Sequence, residues 1–129
     1  MAKKKQPLPT DAELDILRVL WDRGPATVRE VFETLNPTRD VGYTTVLKLM
    51  QIMAEKGLVE RNESQRSHVY RAAAPAERTQ KQLVNDLLDR AFAGSTEQLV
   101  LQALSSKKAS REEIDQIRKL LDQLEGGEK

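Results

Sequence analysis

The side chains that could do chemistry are few, and they do not assemble into a catalytic set. The chain contains no Cys, which removes thiol nucleophiles, thiolate metal ligands and any disulfide framework. Its single imidazole, His68, cannot make a histidine cluster. Ser67 and His68 are adjacent on a strand candidate, where neighbours point to opposite faces, so they are no catalytic couple. No Gly-rich phosphate loop or His-x-Glu pair is present, and the acidic residues fall at helix starts and surface positions. The sequence therefore predicts no catalytic residue, no metal site and no cofactor.

Binding chemistry is better supplied. Thr44, Thr45 and Lys48 place two hydroxyls and a cation at the start of one helix, a set suited to phosphates and base edges. Leu47, on what should be the wet face, could meet thymine methyls. Arg66, His68 and Arg71 add polar and basic groups on a hairpin, with Arg39 just ahead of the helix. Tyr43, at the helix entry, is either a contact or a packing residue. Thr, Lys and Gln also make an ordinary solvated helix face, so these residues alone leave DNA contact and plain solvation both open.

The elements that must position them are well punctuated. Thr10-Asp11-Ala12-Glu13 and Thr27-Val28-Arg29-Glu30 are capping boxes that open two helices. The first carries Ile16, Leu17, Leu20 and Trp21 at helical spacing and stops at Gly24-Pro25; the second stops at Asn36-Pro37. A third helix is predicted over residues 43–56, closed by Gly57, with Val46, Leu49, Met50 and Met53 inward. Two strand candidates, residues 58–62 and 67–72, flank a polar turn, and Pro25-Ala26 could supply a third short strand. This order predicts a mainly α fold with a small β-hairpin wing: a basic arm over 1–9, a winged helix-turn-helix over 10–74, and helices over 75–125. The recognition helix would span 43–56 and the wing about 62–71, with Tyr70 covering the core.

The C-terminal third has a different character. Pro75 reads as the first residue of a long helix ending near Phe92, broken by Ala93-Gly94. Ser95 to Gln98 and Ser110 to Glu113 open two more helices, and Gly126-Gly127 ends them. Apolar stripes through Leu87, Phe92 and Leu99, then Ile114, Ile117, Leu121 and Leu124, exceed what a domain with its own core needs. They predict a two-fold homodimer, against the alternative that the helices fold back on the winged domain.

Bulk charge decides little. With 21 basic and 20 acidic residues in 129, the net charge is +1. Residues 1–74 carry 12 basic and 10 acidic side chains, so a nucleic-acid role must rest on local surface. No apolar run approaches a membrane span and no signal-peptide core follows the basic start, so the chain is expected to be soluble and cytoplasmic, without membrane insertion.

The ordered set of motifs resembles the penicillinase-repressor (BlaI/MecI) family of winged-helix regulators. The carrying residues are Glu13-Leu14-Asp15-Ile16-Leu17 to Trp21, Tyr43-Thr44-Thr45-Val46 to Leu49, Lys56-Gly57-Leu58-Val59 and His68-Val69-Tyr70. Leu87-Leu88, Phe92-x-Gly94-Ser95, Leu99-Val100-Leu101 and Ser110-x-Glu112-Glu113-Ile114 extend it over residues 8–124. The resemblance implies a homodimeric repressor on a dyad-symmetric operator, with Thr44, Thr45, Leu47 and Lys48 facing the DNA from a helix that starts at Tyr43 and with the wing around Arg66 to His68 beside it. It also implies relief by cleavage in the C-terminal region, triggered by a membrane-embedded zinc metalloprotease sensor. This chain departs there: Gln102-Ala103 stands where β-lactam-induced relatives have Asn-Phe, and Ala103 reads equally as a small helix-packing residue. A copper-responsive branch senses through cysteines that this chain lacks. The alternative function is a winged-helix protein-interaction module without sequence-specific DNA binding.

Overall fold

The computed structural model describes residues 7–64, 66–106 and 108–126. Met1 to Gln6 of the basic arm, Gln65 in the wing turn and Gly127 at the C-terminal stop lie outside the described residues. The elements run α1 (Asp11–Arg23), β1 (Ala26–Thr27), α2 (Val28–Leu35), α3 (Tyr43–Lys56), β2 (Val59–Asn62), β3 (Val69–Ala72), α4 (Ala76–Ala91), α5 (Thr96–Ser106) and α6 (Arg111–Gly126). They form two compact units, residues 1–84 and residues 85–129.

In the first unit the capping boxes close as the sequence predicts. Glu13 N–H donates to the Thr10 hydroxyl while the Thr10 amide donates to the Glu13 carboxylate, and Thr27 and Glu30 repeat the exchange. Each box satisfies two amides that a helix start would otherwise leave without an intrahelical partner. From α1, Ile16, Leu17 and Leu20 meet Val31 of α2 and Val46, Met50 and Met53 of α3 in one core. Burying each of these apolar side chains is worth roughly 1.5–3 kcal/mol against exposure, so the three-helix cluster carries the domain.

The sheet lies beside the three helices, in the order β1-β3-β2, antiparallel throughout. Ala26 pairs with Tyr70 and Arg61 also pairs with Tyr70, so β3 is the central strand and Tyr70, 2% exposed, points into the core. The third strand suggested by Pro25-Ala26 is thus present as β1. Both hairpin strands begin later than predicted. Leu58 spends its amide on the Met53 carbonyl at the exit from α3, and β2 starts only at Val59. Ser67 and His68 precede β3, which starts at Val69.

Two side-chain ties fix this unit. Lys56 Nζ donates to Glu13 Oε2 at 2.7 Å, joining the end of α3 to the start of α1. Burial acts to raise the Glu13 pKa, but the hydrogen bonds from Lys56 and Thr10, with the Lys56 charge, hold it below the ordinary value. Trp21 Nε1 donates to the Ala74 carbonyl at 2.9 Å, pinning the chain that leaves the wing against α1. Pro75 is not the first helical residue as expected. Its carbonyl accepts from the Arg78 and Thr79 amides, which makes it the residue before α4.

The second unit contains the end of α4 with α5 and α6. Ala93 and Gly94 both take positive φ, +49° and +81°, which ends α4. Ser95 caps α5 through the Gln98 amide, and Ser110 and Glu113 close a full box at α6. Neither α5 nor α6 buries any residue completely.

Candidate nucleic-acid interface

The start of α3 differs from the starts of α1 and α2. Its N-cap is Gly42, which has no side chain to accept from the first-turn amides, so their partial positive charge faces outward. Tyr43, Thr44 and Thr45 are exposed there, and Lys48 is exposed one turn on. At 100° per residue, Val46, Met50 and Met53 face the core while Thr44, Lys48 and Glu55 occupy the opposite side. Glu55 places an acidic group on the C-terminal half of that side, which confines an anion-binding surface to the first two turns.

Leu47 is placed differently from the sequence expectation. It is half-buried and packs against the core cluster, because its position lies on the flank shared with Tyr43 and Gln51. This flank turns toward the wing and the start of α2. A groove of about 380 Å³ runs there, bounded by Arg29, Tyr43, Leu47 and Gln51 on one side and by Arg61, Arg66, Ser67 and His68 on the other.

The basic residues divide into engaged and available groups. Arg39 pairs with Asp15 at 3.1 Å and Arg71 pairs with Glu60, so two cations expected to serve binding already hold carboxylates. Arg61 pairs with Glu63, and the Tyr70 hydroxyl and the Glu63 carboxylate raise its pKa above the ordinary value, which makes it a bracket for the wing. Among the described residues, Lys48, Arg66 and His68 have no ion pair, and Arg66 and His68 are exposed on the wing.

Arg29 is not among the sequence-derived candidates, although it lies inside the capping box that opens α2. Its Cζ sits 4.7 Å from the Tyr43 ring centroid and 6.0 Å from that of Phe32. The two rings meet edge to face at 5.8 Å and 80°. Tyr43 is therefore a packing platform with 37% of its surface exposed.

In the C-terminal unit, Leu87, Leu121 and Leu124 are 42%, 55% and 58% exposed. Phe92, Leu99, Ile114 and Ile117 are half-buried. Val100, Leu101, Leu104 and Leu120, outside the predicted set, are exposed as well. Gln102 and Ala103 are exposed in the middle of α5, in regular helix. Among the described residues no cluster of His, Cys, Asp or Glu could hold a metal, and no helix is long and apolar enough to cross a membrane.

A helix-turn-helix followed by a β-hairpin beside the exposed, uncapped start of its third helix defines the winged-helix class. The profile of the penicillinase repressor family matches residues 9–123, and the chain belongs to that family. It is 33% identical over 118 residues to the transcriptional regulator BlaI of Mycobacterium tuberculosis strain H37Rv, covering 91% of this chain and 85% of that one. It is 25% identical over 120 residues to the penicillinase repressor of Bacillus licheniformis, covering 93% and 94%. The solution structure of the DNA-binding domain of the repressor BlaI superposes with a TM-score of 0.51 at 26% identity, over 57% of this chain and 90% of that one. Monomeric Bacillus licheniformis BlaI in complex with the blaP half-operator gives 0.50 at 25% identity, over 58% and 92%.

Proposed function

We propose that the protein is a transcriptional repressor that binds a dyad-symmetric operator as a homodimer. The observation that carries this reading is the exposed start of α3, where Thr44, Thr45 and Lys48 stand beside uncapped amides with the wing's Arg66 and His68 alongside. A helix so presented can enter a major groove, its hydroxyls and cation meeting base edges and phosphates while the wing follows the flanking backbone. The half-operator complex of a family relative supports the same use of the fold here.

Dimerisation is the role that best suits α5 and α6. They leave Val100, Leu101, Leu104, Leu120, Leu121 and Leu124 in water, an apolar surface that a second copy would cover. Two winged domains so joined would address two half-sites of an inverted repeat. Relief by proteolysis would fall on α5 around Gln102 and Ala103. Both residues sit within a regular helix, so a protease would require that helix to open first.

The test is a binding selection on fragments of the source genome with the purified chain, read at two salt concentrations. Enrichment of a short inverted repeat near promoters, competed by the same repeat and not by scrambled duplex, is the expected result. A folded dimer that enriches no sequence would sink the repressor and leave a protein-interaction module.

A further inference from the structure

The groove beside α3 is lined by Arg29, Arg61, Arg66 and His68 and, among the described residues, by no carboxylate. Three acids that adjoin these residues in the chain have partners of their own. Glu30, next in the chain to Arg29, closes the Thr27 capping box and pairs with Arg23 at 3.5 Å. Glu60 pairs with Arg71, and Glu63 with Arg61. Arg61 is thus part of the wall, and Arg29, Arg66 and His68 are the basic donors left to a ligand.

Of these three, Arg29 is held in place before any ligand arrives. The Tyr43 ring lies under its guanidinium at 4.7 Å, and Phe32 braces that ring edge-on. A planar cation stacked on an aromatic face keeps its N–H edge free, and the stack limits the rotamers that binding would otherwise have to freeze. Arg29 comes from the first turn of α2 and Arg66 and His68 from the wing, so the groove offers donors from two sides to a chain of anions running through it.

We propose that this groove is a phosphate channel in which Arg29, positioned by Tyr43, grips one strand of the DNA backbone together with Arg66 and His68. The proposal rests on the repressor reading above and deepens it. Arg29 becomes a direct phosphate contact and Tyr43 a positioning residue. Such contacts set register and affinity without reading bases, so the effect must be the same on any sequence.

The test uses the full chain and a mixed-sequence duplex about two helical turns long, followed by fluorescence anisotropy across a salt series. Arg29→Ala should reduce the slope of log affinity against log salt by about 0.9 per bound protomer. Tyr43→Leu keeps the charge and should weaken binding about two- to fivefold, the equivalent of one exposed cation–π stack, with little change in slope. Tyr43→Phe keeps the platform and should match the parent chain. Melting curves establish that the three variants are folded, since both side chains are at the surface.

An unchanged slope in folded Arg29→Ala, with the parent chain binding normally, removes the clamp and leaves the repressor standing. A Tyr43→Phe variant as weak as Tyr43→Leu overturns the positioning role, because the hydroxyl rather than the ring would then be in use. If inorganic phosphate alone displaces the duplex at constant ionic strength, the groove is a site for a free anion and not for the DNA strand. A parent chain that binds no duplex at any salt overturns the clamp and the repressor reading together.

Discussion

Lys48→Ala isolates the charge at the start of α3 from everything that holds the fold. Lys48 is exposed, makes no ion pair among the described residues and lies opposite the core face of its helix. Its removal should therefore leave the melting temperature unchanged and act on DNA alone. Counting only the permanently charged donors free to reach the backbone, each protomer offers Arg29, Lys48 and Arg66. In the proposed dimer these would neutralise roughly six phosphates, for a salt slope of about −5.4 and an affinity loss of about 2,000-fold between 50 and 200 mM salt. Lys48→Ala removes one contact per protomer, which brings the slope to about −3.6 and the same salt step to about 150-fold. Anisotropy on an operator fragment and on a mixed-sequence duplex measures both. Lys48 on a phosphate shifts the slope by the same amount on the two duplexes; Lys48 on a base edge weakens only the operator complex. A folded variant with the parent slope and affinity on both would refute the placement of this helix at the DNA.

Three further outcomes follow from the geometry. Glu13→Gln, which breaks the buried contact with Lys56, should cost about 1–3 kcal/mol in urea denaturation at neutral pH. The Glu13 pKa is lowered in the folded chain, so its contribution is complete above the ordinary carboxylate value of 4.5 and fades as pH falls from there through the folded value. The stability gap between parent and Glu13→Gln should thus narrow on acidification; a gap that widens would contradict the ion pair. Gly57→Ala puts a Cβ at φ +84° where nothing lies within 4 Å, so its cost of about 1–2 kcal/mol should come from the backbone alone. A neutral substitution would show that the left-handed cap is not held. Leu121→Asp with Leu124→Asp charges the exposed end of the α6 stripe and should shift sedimentation toward monomer without changing helix content. A variant that remains dimeric would place the interface elsewhere.

The local signals in the sequence were strong where a single short segment decides its own conformation. Capping boxes at Thr10, Thr27 and Ser110 and the stop at Gly57 mark helix ends within a residue or so, because each is a set of hydrogen bonds or a backbone angle contained within a few residues. The inward stripe of Val46, Met50 and Met53 is legible for the same reason, as is Thr44 with Lys48 on the opposite side. The order of these elements, and the motifs they carry, specify a winged helix of the penicillinase repressor family.

What depended on residues distant in the chain could only be decided by packing. Leu47 is half-buried because α2 and the wing close over one flank of α3, which helical periodicity alone cannot report. Arg39 and Arg71 lose their availability to Asp15 and Glu60, partners supplied by the three-dimensional approach of α1 and the pairing of β2 with β3. Arg29 gains its position by the reverse process: α2 and α3 cross where its guanidinium meets the Tyr43 ring. Sequence determined which surfaces could exist; the tertiary fold determined which cations remain free on them, because a charge is available only if no opposite charge has been folded within reach.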